Sequence, residues 1–166
     1  MDTHLRQASP DDSSSISLLV QASFVSDVAS NWERSAQEEF LRETTSERLS
    51  GLIAAATFVA VYEEEGLILG VISFARPNLV QLLFVASGHL RRGIGRALWE
   101  AARAHIEERH PEVKTIELNS SPYAVSAYKA LGFYPISEPF QLKGSVATRM
   151  ACWLPGRTLA RAQIAI

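Results

Sequence analysis

Cysteine is nearly absent: Cys152 stands alone among 166 residues. A single thiol forms no intramolecular disulfide and no cysteine cluster for zinc. Beside Met150 and Trp153 it reads as a small buried hydrophobe. Histidine is scarce too, and His4, His89, His105 and His110 lack metal-ligand spacing. His105 and His110 fall on different faces of a helix, so no metal is expected. Long apolar runs are missing. The longest, Leu52 to Tyr62, falls well short of the ~18–20 residues that cross a bilayer. The start, Met1-Asp2-Thr3-His4-Leu5-Arg6, has neither the basic opening nor the apolar core of a secretory signal. The expectation is a soluble cytoplasmic protein with no membrane partner. Excess positive charge is also lacking: 16 Lys and Arg face 18 Asp and Glu, a net −2. That balance speaks against a nucleic-acid partner held by a bulk positive field.

What is present is an ordinary globular mixture, 47% hydrophobic and 20% charged. The length suits one domain, residues 1–166, with a well-buried core. Leu5 to Ala8 reads as a short first strand. Ser9-Pro10-Asp11-Asp12 reads as a helix start, with Pro in the first turn and carboxylates at the positive end of the dipole. Ile16, Leu19, Val20 and Phe24 then mark one apolar face. Asn31 to Thr45 reads as a polar helix over a ligand site, and Ser46 to Ala55 as a short helix.

Thr57 to Tyr62 and Leu67 to Phe74 form a hairpin across Glu64-Glu65-Gly66. Leu79 to Val85 is apolar enough for a central strand. Gly93 to Arg109 is an amphipathic helix with Ile94, Leu98, Ala101, Ala102 and Ile106 inward. Val113 to Leu118 is a strand, and Ala124 to Leu131 a helix stopped by Gly132. Strands near Tyr134–Ser137 and Val146–Leu154 close the chain. The fold class is mixed α/β.

Two segments carry chemistry. The first joins a buried strand to a long helix through Leu90-Arg91-Arg92-Gly93-Ile94-Gly95-Arg96. Glycines let a ligand approach the backbone, and the first helical turn offers free N–H groups at the positive end of the dipole. Arg91, Arg92 and Arg96 concentrate positive charge there, within a slightly acidic chain. No Gly-Lys-Ser/Thr ending makes it a P-loop, and Leu98 fills the third glycine position of a dinucleotide fingerprint. The second segment runs from Asn119 through Ser121, Ala124 and Tyr128 to Gly132-Phe133.

Together these segments resemble the GNAT superfamily of N-acetyltransferases. The six residues Leu90 to Gly95 are similar to its Arg-x-x-Gly-x-Gly/Ala pyrophosphate signature, with Leu90 in the usual Arg or Gln position. Ala124, Tyr128, Gly132 and Phe133 fit its Asn-x-x-Ala-x-x-x-Tyr-x-x-x-Gly-Phe pattern, with Ser121 in the Asn position. The resemblance implies a GNAT-like fold, a central mixed, mostly antiparallel sheet flanked by helices. It implies acetyl-CoA as co-substrate, with no metal. The pyrophosphate would lie on Leu90, Arg91, Arg92, Gly93, Ile94, Gly95 and Arg96, and the pantetheine arm along Leu83, Phe84 and Val85. Asn119, Ser121 and Tyr128 complete the implied site, and Tyr128 is the implied general acid for the departing thiolate. On its residues alone, Tyr128 reads first as a core aromatic of an amphipathic helix.

The implied reaction is acetyl transfer to a primary amine of a small molecule or peptide. The base stays open between Glu117, His89 and water, since the strand before the loop offers only Gln81. Acceptor contacts are expected from Phe24 to Thr45 and from Pro139 to Ser145, with Trp32 and Phe140 as candidates or as packing residues. A non-catalytic acyl-CoA-binding module on the same fold is the alternative, motivated by the missing acidic base, Leu90 and Ser121. A nucleic-acid-binding face on Arg91, Arg92, Arg96 and Arg103 is the remoter reading. Oligomeric state is open, a homodimer being the commonest class.

Overall fold

The computed structural model describes residues 3–155. Strand β1 (Thr3–Gln7) ends at a capping box in which the Ser9 N–H donates to Asp12 Oδ2 at 2.8 Å. Pro10 opens a single 3-10 turn, and helix α1 (Ser13–Asp27) follows. Its apolar face is the expected one: Ile16, Leu19, Val20 and Phe24 are buried. Ser17 and Ser23 are buried beside them, and each spends its hydroxyl on a carbonyl, Thr44 at 2.7 Å and Val85 at 3.2 Å. Buried hydroxyls of this kind need such partners.

The polar stretch after α1 departs from the expected continuous helix. Asn31 closes a 3-10 turn, Trp32 and Glu33 are extended, and helix α2 occupies only Arg34–Glu43. Helix α3 (Ser46–Ala55) starts on a Thr45 cap. Strands β2 (Phe58–Glu64) and β3 (Leu67–Arg76) form the hairpin, and Glu65 and Gly66 turn it with φ of 52° and 79°. Two positive φ values in succession match the right-handed twist of the strands they join.

Strand β4 (Leu79–Val85) is less uniformly apolar than expected, since Gln81 is exposed. Helix α4 (Ile94–Arg109) buries Ile94, Leu98, Trp99, Ala102 and Ile106, so Trp99 takes the inward place expected of Ala101. Strand β5 lies at Thr115–Ser120, shifted toward the C-terminus because Val113 folds back to the His110 carbonyl. A Pro122–Ala124 3-10 turn precedes helix α5 (Val125–Ala130), so Ala124 stands before the helix rather than in it. Strands β6 (Tyr134–Pro135), β7 (Phe140–Leu142) and β8 (Ser145–Trp153) complete the sheet, β7 being unforeseen.

The strand order is β1-β2-β3-β4-β5-β8-β6, with β7 also on β8. Every pairing is antiparallel except β4 with β5. Helix α4 covers one face, burying Phe58, Phe74, Ile116, Leu118 and Met150 around Leu98 and Trp99. Helices α1 and α3 cover the other over Val59, Val61, Val71 and Leu82. Among the described residues no helix is long and apolar enough to cross a membrane.

Gly70 on β3 sets the depth of α4. A Cβ there would lie 2.8 Å from Ile94 Cγ2, 2.8 Å from Leu98 Cδ1 and 3.3 Å from the Phe84 carbonyl. A glycine inside a strand commonly marks such an approach. Here the first turn of α4 rests directly on sheet backbone.

Candidate active site

The β4–β5 ladder consists of one register pair, Leu79↔Glu117, beside a 2.8 Å bond from the Glu117 N–H to the Asn78 carbonyl. Beyond it the strands part. The Leu83–Val85 end of β4 keeps its partners on β3 but has none on β5. The Val85 carbonyl is held from α1 by Ser23, while Phe84 turns toward Phe40 at 6.1 Å between ring centres. Thus Val85 borders the opening on the α4 side, and Phe84 belongs to the aromatic cluster on the opposite face.

From the end of β4 the chain passes through Ser87–His89 to Leu90, Arg91 and Arg92, and then enters α4. Arg91 has φ 62° and Gly93 has φ 83°, so the backbone turns left-handed twice within three residues. Gly93 is the cap of α4, and the first helical bond runs from the Ala97 N–H to the Gly93 carbonyl at 2.9 Å. Ile94, Gly95 and Arg96 therefore present N–H groups with no intrahelical acceptor. A Cβ on Gly95 would stand 3.7 Å from Val85 Cγ2, which places this turn against the open end of β4.

The arginines divide their work. Arg92 is held by Glu64 at 2.9 Å, and Arg96 donates to the Ala130 carbonyl at 3.0 Å. Arg96 thereby ties α4 to the end of α5. Arg91 forms no hydrogen bond or ion pair among the described residues, and it remains the free cation of the loop. Leu90 is exposed. One basic cluster in sequence becomes one free charge and two fastened ones.

The second motif is a helix stop. Phe133 N–H donates to the Tyr128 carbonyl at 3.0 Å, and Gly132 N–H donates to the Lys129 carbonyl at 3.1 Å. With Gly132 at φ 99°, this is a Schellman cap, which usually brings an apolar contact between its two ends. That contact is made: the Tyr128 and Phe133 rings meet edge to face at 5.6 Å. Phe133 packs in turn on Trp99 at 4.7 Å, and Trp99 Nε1 donates to the Leu131 carbonyl at 3.1 Å. The spacing Tyr-x-x-x-Gly-Phe thus fixes Tyr128 through α4, the helix that also presents the free amides.

Tyr128 is half-buried, and its hydroxyl makes no hydrogen bond within the described residues. Burial pushes the phenol up to about 12, from an ordinary 10.0. The folded form therefore keeps this proton between those values, whereas the unfolded form releases it. Its contribution to stability is complete below about pH 10 and is lost as pH rises toward 12. Thermal unfolding followed against pH is expected to show a steeper alkaline loss in the wild type than in Tyr128→Phe. Parallel curves would show that the phenol is not desolvated.

A cleft of about 420 Å³ opens between two connections and strand β8. The α1–α2 connection supplies Val28, Asn31 and Trp32; the β5–α5 connection supplies Ser121, Pro122 and Tyr123; β8 supplies Val146. Trp32 lines the cleft and also packs edge to face on Phe24 at 4.9 Å and on Phe40 at 5.8 Å. Phe140 does not line the cleft; it is exposed on β7 opposite Ala147. Asn119 is exposed opposite Arg149 on β8, apart from the cleft that Ser121 lines. Glu117 sits 3.4 Å from Arg149 Nε, an ion pair that occupies it. His89 Nδ1 is buried without a partner. Pro122, Tyr123 and Val146 carry no local sequence signal, because only the tertiary fold gathers them.

The mixed sheet with one parted parallel pair, free amides at its mouth and a capped tyrosine helix alongside is the architecture of GNAT acetyltransferases. Residues 20–154 match the acetyltransferase (GNAT) domain, and the chain belongs to that family. It is 30% identical over 99 residues to the peptidyl-lysine N-acetyltransferase YiaC of Escherichia coli (strain K12), covering 60% of this chain and 65% of that protein. The match thus spans slightly under two thirds of YiaC. The fold is shared with the PaiA N-acetyltransferase of Thermoplasma acidophilum, solved with coenzyme A: TM-score 0.78, 17% identity, covering 93% of this chain and 100% of that one. YncA of Salmonella typhimurium, solved with acetyl-CoA, gives TM-score 0.70 at 18% identity over 92% and 94%.

Proposed function

We propose that this chain transfers the acetyl group of acetyl-CoA to a primary amine by direct attack, with Tyr128 as the acid. The observation that carries the reading is the parted β4–β5 pair, which opens beside the free amides of Ile94, Gly95 and Arg96. The diphosphate would sit on those amides with Arg91 alongside, and the pantetheine arm would run along the unpaired edge at Leu83–Val85. Helix-terminal N–H groups suit a diphosphate through both donors and dipole. Arg92 and Arg96 shape the loop through their protein partners. PaiA solved with coenzyme A and YncA solved with acetyl-CoA support the choice of co-substrate.

In the reaction the neutral amine nitrogen attacks the thioester carbonyl. A C–N bond forms, the C–S bond breaks, and the nitrogen loses a proton as the sulfur gains one. A phenol near 12 gives its proton uphill to an ordinary thiolate of pKa ~8.5. Tyr128 therefore works first as a neutral hydrogen-bond donor to sulfur as charge grows, and transfer completes as the product thiol departs. Such a donor gains strength in a dry site. Among the described residues no carboxylate or histidine lines the cleft, and Glu117 is engaged by Arg149. Deprotonation of the amine falls to water, helped by an apolar cleft that disfavours the ammonium form.

Calorimetric titration with acetyl-CoA and a thiol-release assay over an amine panel test the proposal. Binding and amine-dependent thiol release are both expected. Tight binding without release from any amine would leave the non-catalytic module as the better reading; the absence of binding would end both. The acid limb of kcat/KM is expected to follow the acceptor's own pKa from amine to amine. A limb fixed at one pH for all acceptors would reveal a protein base.

A further inference from the structure

The cleft has a composition and a closure that bear on which amine fits it. Trp32 and Tyr123 present aromatic surface, and Val28, Pro122 and Val146 present aliphatic surface. Its polar contributions, Asn31 and Ser121, are neutral, and no carboxylate lines it among the described residues. A polycationic acceptor would leave its extra ammonium groups there without partners, a desolvation cost that nothing in the lining offsets. A volume of about 420 Å³ lies toward the lower end of small-molecule sites, roughly 300–1,000 Å³.

Two walls of this cleft are also fastened together. The Glu33 N–H donates to the Gly144 carbonyl at 2.8 Å. Trp32 directly precedes the donor, and Val146 follows shortly after the acceptor, so the bond joins the α1–α2 wall to the β8 wall at their ends. Gly144 sits at φ 78° in the β7–β8 turn, after Lys143 at φ 45°. A Cβ on Gly144 would stand 2.9 Å from Ala36 Cβ and 3.1 Å from Glu33 Oε2. The turn thus approaches the start of α2 as closely as a glycine permits.

Resting on the acetyl-transfer reading above, we propose that the acceptor is a primary amine carried on an apolar, ring-sized body. The Glu33–Gly144 clasp closes the rim and sets how large that body can be. Acceptors then enter end-on, amine first, and branched or multiply charged amines are excluded.

The test uses the full chain with acetyl-CoA and four acceptors: 2-phenylethylamine, tryptamine, ethylamine and spermine. The aromatic amines are expected to exceed ethylamine and spermine in kcat/KM by at least tenfold. Trp32→Ala should remove most of that advantage through KM. Glu33→Pro deletes the donor where φ is −61° and the preceding residue is extended, both compatible with proline. It should raise KM for 2-phenylethylamine several-fold and improve a bulkier acceptor such as a lysine-containing peptide. Gly144→Ala should act in the same direction, and melting curves check that each variant folds. Equal rates for all four amines, a preference for spermine, or an unchanged acceptor range in both clasp variants would overturn the inference while leaving acetyl transfer intact. Calorimetry of 2-phenylethylamine with the CoA-loaded protein separates the remaining outcomes. Binding of 2-phenylethylamine with no thiol release from any amine would reject the transfer reading and keep the cleft assignment, whereas no binding of it, with release from another amine, would overturn the cleft assignment alone.

Discussion

Replacing Tyr128 with phenylalanine is expected to slow turnover by on the order of 10²-fold, the lower end of what a positioned proton donor supplies. Acetyl-CoA affinity is expected to change little. The ring stays, so its edge-to-face contact with Phe133 and the cap formed by Gly132 and Phe133 are retained. Only the hydroxyl is removed, and it has no partner in the described residues, so its loss leaves no protein group unsatisfied. The effect should fall on kcat and kcat/KM alike, as for an interaction made mainly in the transition state. Steady-state kinetics alongside calorimetry decides the matter. Turnover within twofold of wild type would remove Tyr128 from the chemistry and return it to a packing role.

Gly70→Val should produce the largest change in binding from a residue that touches no ligand. Its side chain would collide with Ile94 and Leu98 from a strand position that cannot recede, since β3 is paired on both sides. Overpacking of this kind costs about 1–3 kcal/mol, or very roughly 3–10 °C in Tm for a domain of this size. The cheapest relief is for α4 to lift at its first turn, where Ile94, Gly95 and Arg96 present their amides. Acetyl-CoA affinity should consequently fall by at least tenfold in protein that still folds, with Gly70→Ala intermediate. Wild-type affinity in a folded Gly70→Val variant would argue that the first turn of α4 is not the diphosphate seat.

These two residues differ in how visible they were beforehand. Tyr128 belongs to a local pattern, and the pattern proves to be a physical object: a helix, a Schellman stop and the aromatic contact that accompanies it. The glycine loop was legible for the same reason, since strand, left-handed turn and helix start follow one another in sequence. Gly70 has no such signature. Its meaning lies in Ile94 and Leu98, residues that only the tertiary fold brings over it. The arginines show the converse: adjacent in sequence, they separate because Glu64 and the Ala130 carbonyl claim two of them. Trp32 lines the cleft whereas Phe140 does not, because β7 leaves Phe140 exposed. The clasp was invisible for a further reason: a backbone N–H and a backbone carbonyl carry no residue identity.

The single Leu79↔Glu117 pair has a further consequence. It leaves the strands as two leaves, β1–β4 and β5–β8, joined in the sheet at that one register pair, with α4 packed in a core cluster that holds residues of both. A bound pantetheine arm lying in the seam would supply cross-links that the polypeptide does not make for itself. Rigidity at the centre of the domain would then depend on acetyl-CoA supply, through the mass-action stabilisation that any native-state ligand confers. Amide exchange at Leu83 and Val85 should slow on loading while that at the paired β2–β3 hairpin barely changes, so the protein would register its own co-substrate as mechanical stiffness.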